Sequence, residues 1–206
     1  VPREQVLPKA IKQTVQLLEM AEAQSDKVLV FSGWSLLHAV ALDFASRHKV
    51  LKLPAGSVLG TGGGFKERYP YTPAQIRQDL AATIQFGDGQ PVPMGDTYGM
   101  AEGNWAAMQC QQGSYHVPPW IYAVTLDQND KFQAAADSTG LLAFFDPFGG
   151  GQLFPAFFKT ADQVRLINGA LAYDPGLTCA CGDPSPYFTP GSIQRVDLMD
   201  EAGCAA

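Results

Sequence analysis

The chain has 206 residues, a length that fits one domain or one large domain with a small appendage. Hydrophobic residues make up 46% and charged residues 17%, which excludes a disordered chain because such chains are poor in apolar residues and rich in charge. The net charge of −6 argues against a partner with a nucleic-acid backbone, which requires a basic surface, and leaves open a single nucleotide held by backbone N–H groups and a metal ion.

The sequence carries no signal for a membrane or for secretion. Its longest apolar runs, 36–44 and 141–145, are shorter than the roughly 20 residues that span a bilayer. The N-terminus lacks the charged and then apolar layout of a signal peptide. Four cysteines are too few for a disulfide scaffold. We therefore expect a cytoplasmic protein without a membrane partner.

The first half of the chain alternates helical and strand patterns. The predicted elements are, in chain order, a helix over 7–23, a buried strand over 27–31, a helix capped by Ser35 and ending near Arg47, strands over 50–53 and 57–59, a helix capped by Thr72 with Pro73 at its first position, and a strand over 92–94. The last helix turns Ile76, Leu80 and Ile84 inward. This β-α-β-α-β order predicts a parallel sheet with right-handed crossovers.

The second half has a different character, because the helical signal fades after about Met108. Short strands are predicted over 121–126, 140–145, 163–167 and 170–173, with Asn168-Gly169 as a hairpin turn. The fold class is therefore α/β, with a parallel-sheet lobe at 1–108, a mostly antiparallel β-rich subdomain at 109–192, and a hinge and tail at 193–206.

Several apolar and aromatic residues are predicted to pack in the core. His38 lies within an apolar helical stretch and is expected to be a packed histidine. Phenylalanines of the second half are expected to form the core of the β-rich subdomain rather than an acyl pocket: Phe144, Phe145, Phe154, Phe157 and Phe158.

A glycine-rich segment, Gly60-Thr-Gly-Gly-Gly64-Phe-Lys66, follows a predicted strand. Glycines allow a close approach of the backbone to a ligand and accept positive φ angles, and a following lysine suggests a phosphate loop. The spacing differs from the Walker pattern, which needs four residues between its glycines and then Gly-Lys-Ser/Thr. By itself the segment is also compatible with an ordinary tight turn.

The segment Tyr98-Gly-Met-Ala-Glu102 directly follows another predicted strand. The carboxyl ends of parallel strands are where α/β sheets bind ligands. There the Tyr98 ring is suited to pack on a purine and Glu102 to hold Mg²⁺. The alternative is a solvated glutamate after a glycine turn.

Two further polar residues fit a nucleotide. Asp162, predicted in a turn between strands, has the oxygens to accept two hydrogen bonds from a ribose diol, and Arg195 offers a planar fork of donors. The alternatives are a turn aspartate that caps its own backbone and a surface salt bridge.

Three cysteines and one histidine form a Cys-x5-His and Cys-x-Cys set: Cys110, His116, Cys179 and Cys181. Three thiolates and an imidazole make a closed tetrahedral Zn²⁺ site, which is a structural site because no position stays open. It would connect the end of a helix after Glu102 to the loop before the hinge. The alternative is four unrelated residues, since free cysteines often pack as small hydrophobes.

The order and spacing of these motifs resemble the later half of the acyl- and aryl-adenylate-forming enzymes. Within them the chain is most similar to the branch that holds the bacterial-luminescence acyl-protein synthetases and the phenylacetate–CoA ligases. The residues that carry the likeness are Gly62-Gly-Gly-Phe-Lys66, Tyr98-Gly-Met-Ala-Glu102, His116-Val-Pro-Pro-Trp120 and Gly203-Cys204-Ala205. The resemblance extends from about Lys27 to the end of the chain.

What the resemblance implies is the conversion of a fatty or aryl carboxylic acid and ATP into an acyl-adenylate and pyrophosphate, followed by transfer to a thiol of a protein or of coenzyme A. It assigns the adenine pocket to Gly62, Gly63, Gly64, Tyr98 and Gly99, Mg²⁺ to Glu102, the ribose to Asp162, the ribose or phosphate to Arg195, and the hinge to Asp197.

Cys204 resembles the cysteine near the end of acyl-protein synthetases that accepts the acyl group. A nucleophilic thiol needs exposure and a lowered pKa, and no basic residue lies near Cys204 in the sequence. An inert cysteine of the tail is therefore the alternative.

Two departures from the family pattern stand out. Ala101 replaces the usual threonine or serine that meets the α-phosphate, and the chain has no copy of the upstream Ser/Thr/Gly-rich phosphate loop. The lid with its catalytic lysine is also missing after Ala206. We therefore expect a fragment that needs a missing N-terminal half as its partner and is inactive alone. The alternatives are a non-catalytic nucleotide-binding remnant and a zinc-stabilised interaction module.

Overall fold

The computed structural model describes residues 3–64, 69–149 and 155–196, with side chains from residue 7 onward. Its contacts divide the chain into two compact units, 1–96 and 97–206. The predicted boundaries of the lobe, the β-rich subdomain and the hinge, at residues 108 and 192, stay predictions. Among the described helices, none combines the length and the apolar character that crossing a bilayer requires.

The first unit pairs helices with parallel strands, as predicted. Strands β1 and β3 pair in parallel, as do β3 and the first half of β5, and β2 pairs with β4 in a separate parallel sheet. The bounds are α1 Arg3–Gln24, β1 Leu29–Ser32, α2 Trp34–Ser46, β2 Leu51–Leu53, β3 Val58–Thr61, α3 Pro73–Thr83, β4 Ile84–Phe86 and β5 Met94–Gly99. One buried apolar cluster joins these elements.

The start of α3 confirms its predicted cap. The Thr72 side chain accepts a hydrogen bond from the backbone N–H of Gln75, whose side chain accepts one from the backbone of Thr72, which is a capping box. The three residues predicted to face inward, Ile76, Leu80 and Ile84, are buried. The predicted cap of α2 is wrong, because Gly33 occupies that position and Ser35 lies inside the helix.

Strand β1 is also less buried than predicted. Leu29 is 74% exposed and Phe31 is 58% exposed, whereas Val28 and Val30 pack against the core. Side chains alternate between the two faces of a strand, and the described residues cover only one face of β1. An unbroken apolar run therefore overstated its burial.

The second unit is antiparallel and rich in β-strands, as predicted. Its strands are β6 Ala106–Gln109, β7 Tyr115–His116, β8 Tyr122–Leu126, β9 Asp137–Phe145, β10 Phe157–Ile167, β11 Tyr187–Phe188 and β12 Gln194–Arg195. Every pairing among them is antiparallel, and the second half of β5 joins β6 in the same way. The helix expected after Glu102 is absent from the described residues, because the chain turns there and returns as β6.

The hairpin predicted at Asn168-Gly169 is wrong. Only Asn168 has a positive φ, 55°, whereas the tight turns typical of such hairpins need positive φ at both central residues when they are of type I′. Instead, the side-chain oxygen of Asn168 accepts a hydrogen bond from the Asp174 N–H at 2.8 Å, and its side-chain nitrogen donates one to the Asp174 carbonyl at 3.1 Å. These bonds close a loop, and 170–173 forms no strand.

The phenylalanines of the second unit divide between two faces. Phe144 is fully buried in the main cluster, and Phe158 packs against it, which confirms the core prediction for these two. Phe145 and Phe157 are exposed by 42% and 51%, so the prediction is wrong for them. Adjacent residues of a strand point to opposite faces, and one pair of neighbours cannot enter the same core. Phe154 lies outside the described residues.

Candidate nucleotide site and metal centre

Tyr98 and Asp162, which are 64 residues apart in the chain, meet through a short hydrogen bond. The Tyr98 hydroxyl donates to Oδ2 of Asp162 at 2.5 Å. The Tyr98 ring packs edge-on against Trp105 and Phe188, with ring centroids 6.2 and 5.5 Å apart. The second unit thus holds the ring on its core and presents the hydroxyl to a carboxylate.

Asp162 lies within β10 and not in the predicted turn. The strand carries an irregularity between Lys159 and Gln163, where its register against β9 shifts. The hydroxyl of the buried Thr160 accepts a bond from the Asp162 N–H at 3.0 Å and donates to the carbonyl of Leu142 at 3.0 Å. A bulge changes the direction of a side chain, and this one places Asp162 where Tyr98 reaches it.

A positive and a negative side chain influence the electrostatics of the Tyr98–Asp162 pair. Arg195 on β12 stands opposite Asp162 in the strand register. Burial raises the pKa of Tyr98 far above its usual value, and the hydrogen bond and charge of Asp162 raise it further. The negative charge of Glu102 also raises the pKa of Tyr98, and the positive charge of Arg195 lowers it. The structure therefore brings Tyr98, Asp162 and Arg195 together, with Tyr98 as a neutral donor, and Glu102 contributes to the electrostatics of the Tyr98 hydroxyl.

The glycine segment follows β3 in the first unit. Gly63 and Gly64 have φ angles of 78° and 70°, and an added Cβ at either would meet no atom within 4 Å. Glycine is thus favoured there by the backbone conformation and not by lack of space. The role of Gly62, Gly63 and Gly64 in an adenine pocket stays a prediction, and Lys66 lies outside the described residues.

The predicted cysteine and histidine ligands converge in the second unit. Their ligand atoms all lie within 4.8 Å of one another. The sulfurs of Cys110 and Cys179 are 3.9 Å apart, and that of Cys181 is 3.3 Å from Nε2 of His116. Sulfur ligands about 2.3 Å from a tetrahedral zinc ion are roughly 3.8 Å from each other, so the spacing suits zinc.

Two tight turns hold the thiols. The N–H of Gly113 donates to the carbonyl of Cys110, and the N–H of Gly182 donates to that of Cys179, both at 2.9 Å. Both glycines have a positive φ, 79° and 88°. Each turn therefore fixes the backbone next to one cysteine, and the two sulfurs reach the cluster from different segments of the chain.

The neighbours of these ligands also suit a metal centre. Nδ1 of His116 lies 3.1 Å from the Ser185 hydroxyl and 3.6 Å from the Asp183 carboxylate, which leaves Nε2 for the cluster. Burial alone would raise the pKa of Cys179, but hydrogen bonds from the Cys181 backbone and from neighbouring side chains lower it to about 7. Thiolate is the form that binds metal.

Two other predicted site residues lie outside the described residues, and the predicted core histidine has polar partners. Asp197 and Cys204 fall outside the described residues, so the hinge and the acyl acceptor stay predictions. His38 is fully buried, as predicted, with its ring nitrogens 2.9 Å from the Tyr69 hydroxyl and 2.8 Å from the Asp79 carboxylate. Sequence reasoning did not find these two partners, because they lie 31 and 41 residues away from His38 in the chain.

Part of this chain is similar in sequence to a known protein. No protein-family model matches it. It is 29% identical over 147 residues to the long-chain-fatty-acid–luciferin-component ligase of Aliivibrio fischeri, a match that covers 70% of this chain and 35% of that relative. The chain thus spans about a third of the length of the curated relative that it matches.

Solved structures of adenylate-forming ligases share the fold. A 2-hydroxyisobutyryl-CoA ligase in complex with 2-HIB-AMP and CoA matches with a TM-score of 0.56 and 16% identity, covering 91% of this chain and 40% of that one. A long-chain-fatty-acid–CoA ligase from Archaeoglobus fulgidus matches with a TM-score of 0.52 and 13% identity, covering 85% and 36%. The predicted resemblance to acyl-protein synthetases and other adenylate-forming ligases, and the α/β fold class, are confirmed.

Proposed function

We propose that this chain is part of an ATP-dependent enzyme that activates a carboxylic acid as its acyl-adenylate and passes the acyl group to a thiol. The observation that carries the proposal is the meeting of Tyr98, Asp162 and Arg195, with the charge of Glu102 acting on the Tyr98 hydroxyl, in a chain similar to a fatty-acid ligase. These residue types serve the ribose, the phosphates and a divalent cation.

Each residue has a distinct task in this proposal. Asp162, half-buried and held through Tyr98 and Thr160, accepts the ribose hydroxyls. Arg195 donates to ribose or phosphate oxygens. Glu102, an exposed carboxylate in the turn after β5, would hold Mg²⁺, which commonly binds one or two carboxylates together with substrate phosphates. When bound, the ion neutralises charge on the phosphates during displacement of pyrophosphate.

The substrate is proposed as a fatty or aryl carboxylic acid. The relative from Aliivibrio fischeri is named for a long-chain fatty acid, which favours the fatty acid. The acceptor is a thiol, either Cys204 of this chain or that of coenzyme A. The activity is tested by the incorporation of labelled pyrophosphate into ATP in the presence of a carboxylic acid, with a panel of fatty and aryl acids. The assay uses the parent protein, which is the full-length enzyme of which this chain is proposed to be a part. Absence of exchange with every acid would leave the non-catalytic remnant as the better description.

We expect Glu102→Gln to abolish the Mg²⁺-dependent part of nucleotide binding, because the amide keeps the shape of the side chain and removes its charge. Titration of the protein with ATP, with and without Mg²⁺, measures this part. Asn104→Ala, at an exposed position of the same turn, is the control and should bind as the wild type does. Unchanged Mg²⁺-dependent binding in Glu102→Gln would contradict the role of Glu102.

We expect Asp162→Ala to weaken ATP binding about 10- to 100-fold, since a hydrogen bond to a charged group contributes roughly 1.5–3 kcal/mol. Free pyrophosphate has no ribose, so its affinity should stay within about twofold. Competition titrations with the two ligands measure both affinities in one protein preparation. Equal losses for ATP and pyrophosphate would exclude a ribose contact.

We also propose that Cys110, His116, Cys179 and Cys181 bind one structural Zn²⁺. The ligand spacing and the two glycine turns support it. A reducing, cytoplasmic compartment belongs to this proposal, because it keeps the thiols free. The same cluster favours a second candidate function, a zinc-stabilised interaction module. Zinc content without measurable affinity for nucleotide in the parent protein would favour the module over the enzyme.

A further inference from the structure

We infer that Tyr98 is a positioning residue, whose hydroxyl fixes the Asp162 carboxylate in the orientation that selects for ribose hydroxyls. The inference rests on the proposed role of Asp162 in nucleotide binding and goes beyond the role of the Tyr98 ring at the adenine. Its basis is the 2.5 Å hydrogen bond from the Tyr98 hydroxyl to Oδ2 of Asp162.

Among the contacts of the described residues, the bond from Tyr98 holds the Asp162 carboxylate, and the bond with Thr160 holds only the Asp162 backbone. The N–H of Asp162 bonds Thr160, and this contact leaves rotation about the bond to the carboxylate carbon free. A carboxylate torsion of this kind is broad, so the two oxygens would sample many directions. The Tyr98 hydroxyl restricts this torsion by engaging one defined oxygen.

The Tyr98 ring is well suited to hold a partner in place. It packs edge-on against both Trp105 and Phe188, which are buried. A phenol has few rotatable bonds, and this ring belongs to a packed cluster, so its hydroxyl stays in one place at little cost in conformational entropy. The high pKa of Tyr98 keeps the proton on the hydroxyl, which is therefore a donor at every physiological pH.

The bond also determines which acceptor sites remain. An ionised carboxylate has two oxygens with about four lone-pair sites, and Tyr98 takes one of those on Oδ2. With respect to the described residues, Oδ1 and the second site of Oδ2 remain available for a pair of adjacent O–H donors, which is what a 2′,3′-diol presents. Arg195, opposite in the strand register, keeps positive charge near the carboxylate. A preorganised acceptor of this geometry favours a ribonucleotide over a nucleotide without these hydroxyls.

The test compares ATP with 2′,3′-dideoxy-ATP in the full protein. We expect wild type to bind ATP more tightly, and Tyr98→Phe, which keeps the ring and removes the hydroxyl, to lower the ratio of the two affinities about 3- to 10-fold. The affinity for 2′,3′-dideoxy-ATP should not change. Tyr122→Phe, which removes an exposed phenol hydroxyl from β8, is the matched control and should keep the wild-type ratio.

The outcomes separate this inference from the function that it rests on. If Asp162→Ala loses the discrimination and Tyr98→Phe retains it in full, Asp162 reads the ribose and the inference about Tyr98 is overturned. If wild type binds both nucleotides equally or binds neither, the ribose role of Asp162 and the inference fail together. Because the readout is a ratio within one variant, a partly unfolded preparation lowers both affinities alike and leaves the ratio unaltered.

Discussion

Cys179→Ser is expected to lose the zinc proposed for the second unit and to destabilise that unit severely. Serine has the size of cysteine but offers an alcohol, which does not form the thiolate that binds zinc. Structural zinc contributes folding free energy directly, and loss of a metal is among the few single changes with effects above about 4 kcal/mol. For a unit of this size, such a loss lowers the melting temperature by roughly 15 °C or more.

Elemental analysis of the purified protein and a thermal melt measure both effects. Wild type should hold about one zinc per chain, and a chelator should lower its melting temperature toward that of Cys179→Ser. Cys204→Ser is the control, since Cys204 is not among the proposed ligands, and it should keep both the zinc and the stability. A wild-type protein without zinc, or a Cys179→Ser variant that melts as wild type does, would contradict the metal centre.

One strand, β11, connects the proposed metal centre to the nucleotide candidates. His116 pairs with Tyr187 on β11, and the next residue, Phe188, packs against the Tyr98 ring at 5.5 Å. Phe188 also pairs with Leu166 on β10, the strand that carries Asp162. A zinc ion that fixes His116 therefore fixes the strand on which Tyr98 rests. We expect metal removal to weaken nucleotide binding even though no proposed ligand of the metal touches the nucleotide.

Residue chemistry predicted which side chains come together better than it predicted their surroundings. The types and spacing of the three cysteines and His116 were enough to predict a cluster, because few other roles place four such ligands in one set. Their supporting partners, Ser185 and Asp183, carry no distinctive signal, since serine and aspartate are common in any loop. Such contacts depend on how two distant turns fold against each other.

The errors in the fold have a similar cause. The sequence predicts Asp162 in a turn because it lies between the predicted strands 140–145 and 163–167, whereas pairing with β9 on one side and β12 on the other extends β10 through it. The bulge that directs the carboxylate toward Tyr98 depends on Thr160 reaching the Leu142 carbonyl, a contact between strands. Local propensity does not report such contacts, because pairing between strands decides β-structure more than the residues of one strand do.

The adjacent residues Phe144 and Phe145 offer the sharpest test of how the second unit is packed. Phe144 is 0% exposed and contacts Trp105 edge-on, with ring centroids 5.1 Å apart, whereas Phe145 is 42% exposed on the opposite face of β9. Truncation of a buried phenylalanine to alanine costs about 3–5 kcal/mol, because it removes apolar contacts and leaves a cavity. We expect Phe144→Ala to lose this amount and Phe145→Ala about 1 kcal/mol or less.

Chemical denaturation of both variants measures the difference in the free energy of unfolding. Trp105 contacts both Phe144 and Tyr98, so the cavity in Phe144→Ala opens next to Trp105, the ring that supports Tyr98. Nucleotide affinity should therefore fall in Phe144→Ala, under conditions where the variant is still folded, and stay at the wild-type value in Phe145→Ala. Equal destabilisation by the two substitutions would mean that the face carrying Phe145 is covered in solution, and the assignment of the core to a single face of β9 would then be wrong.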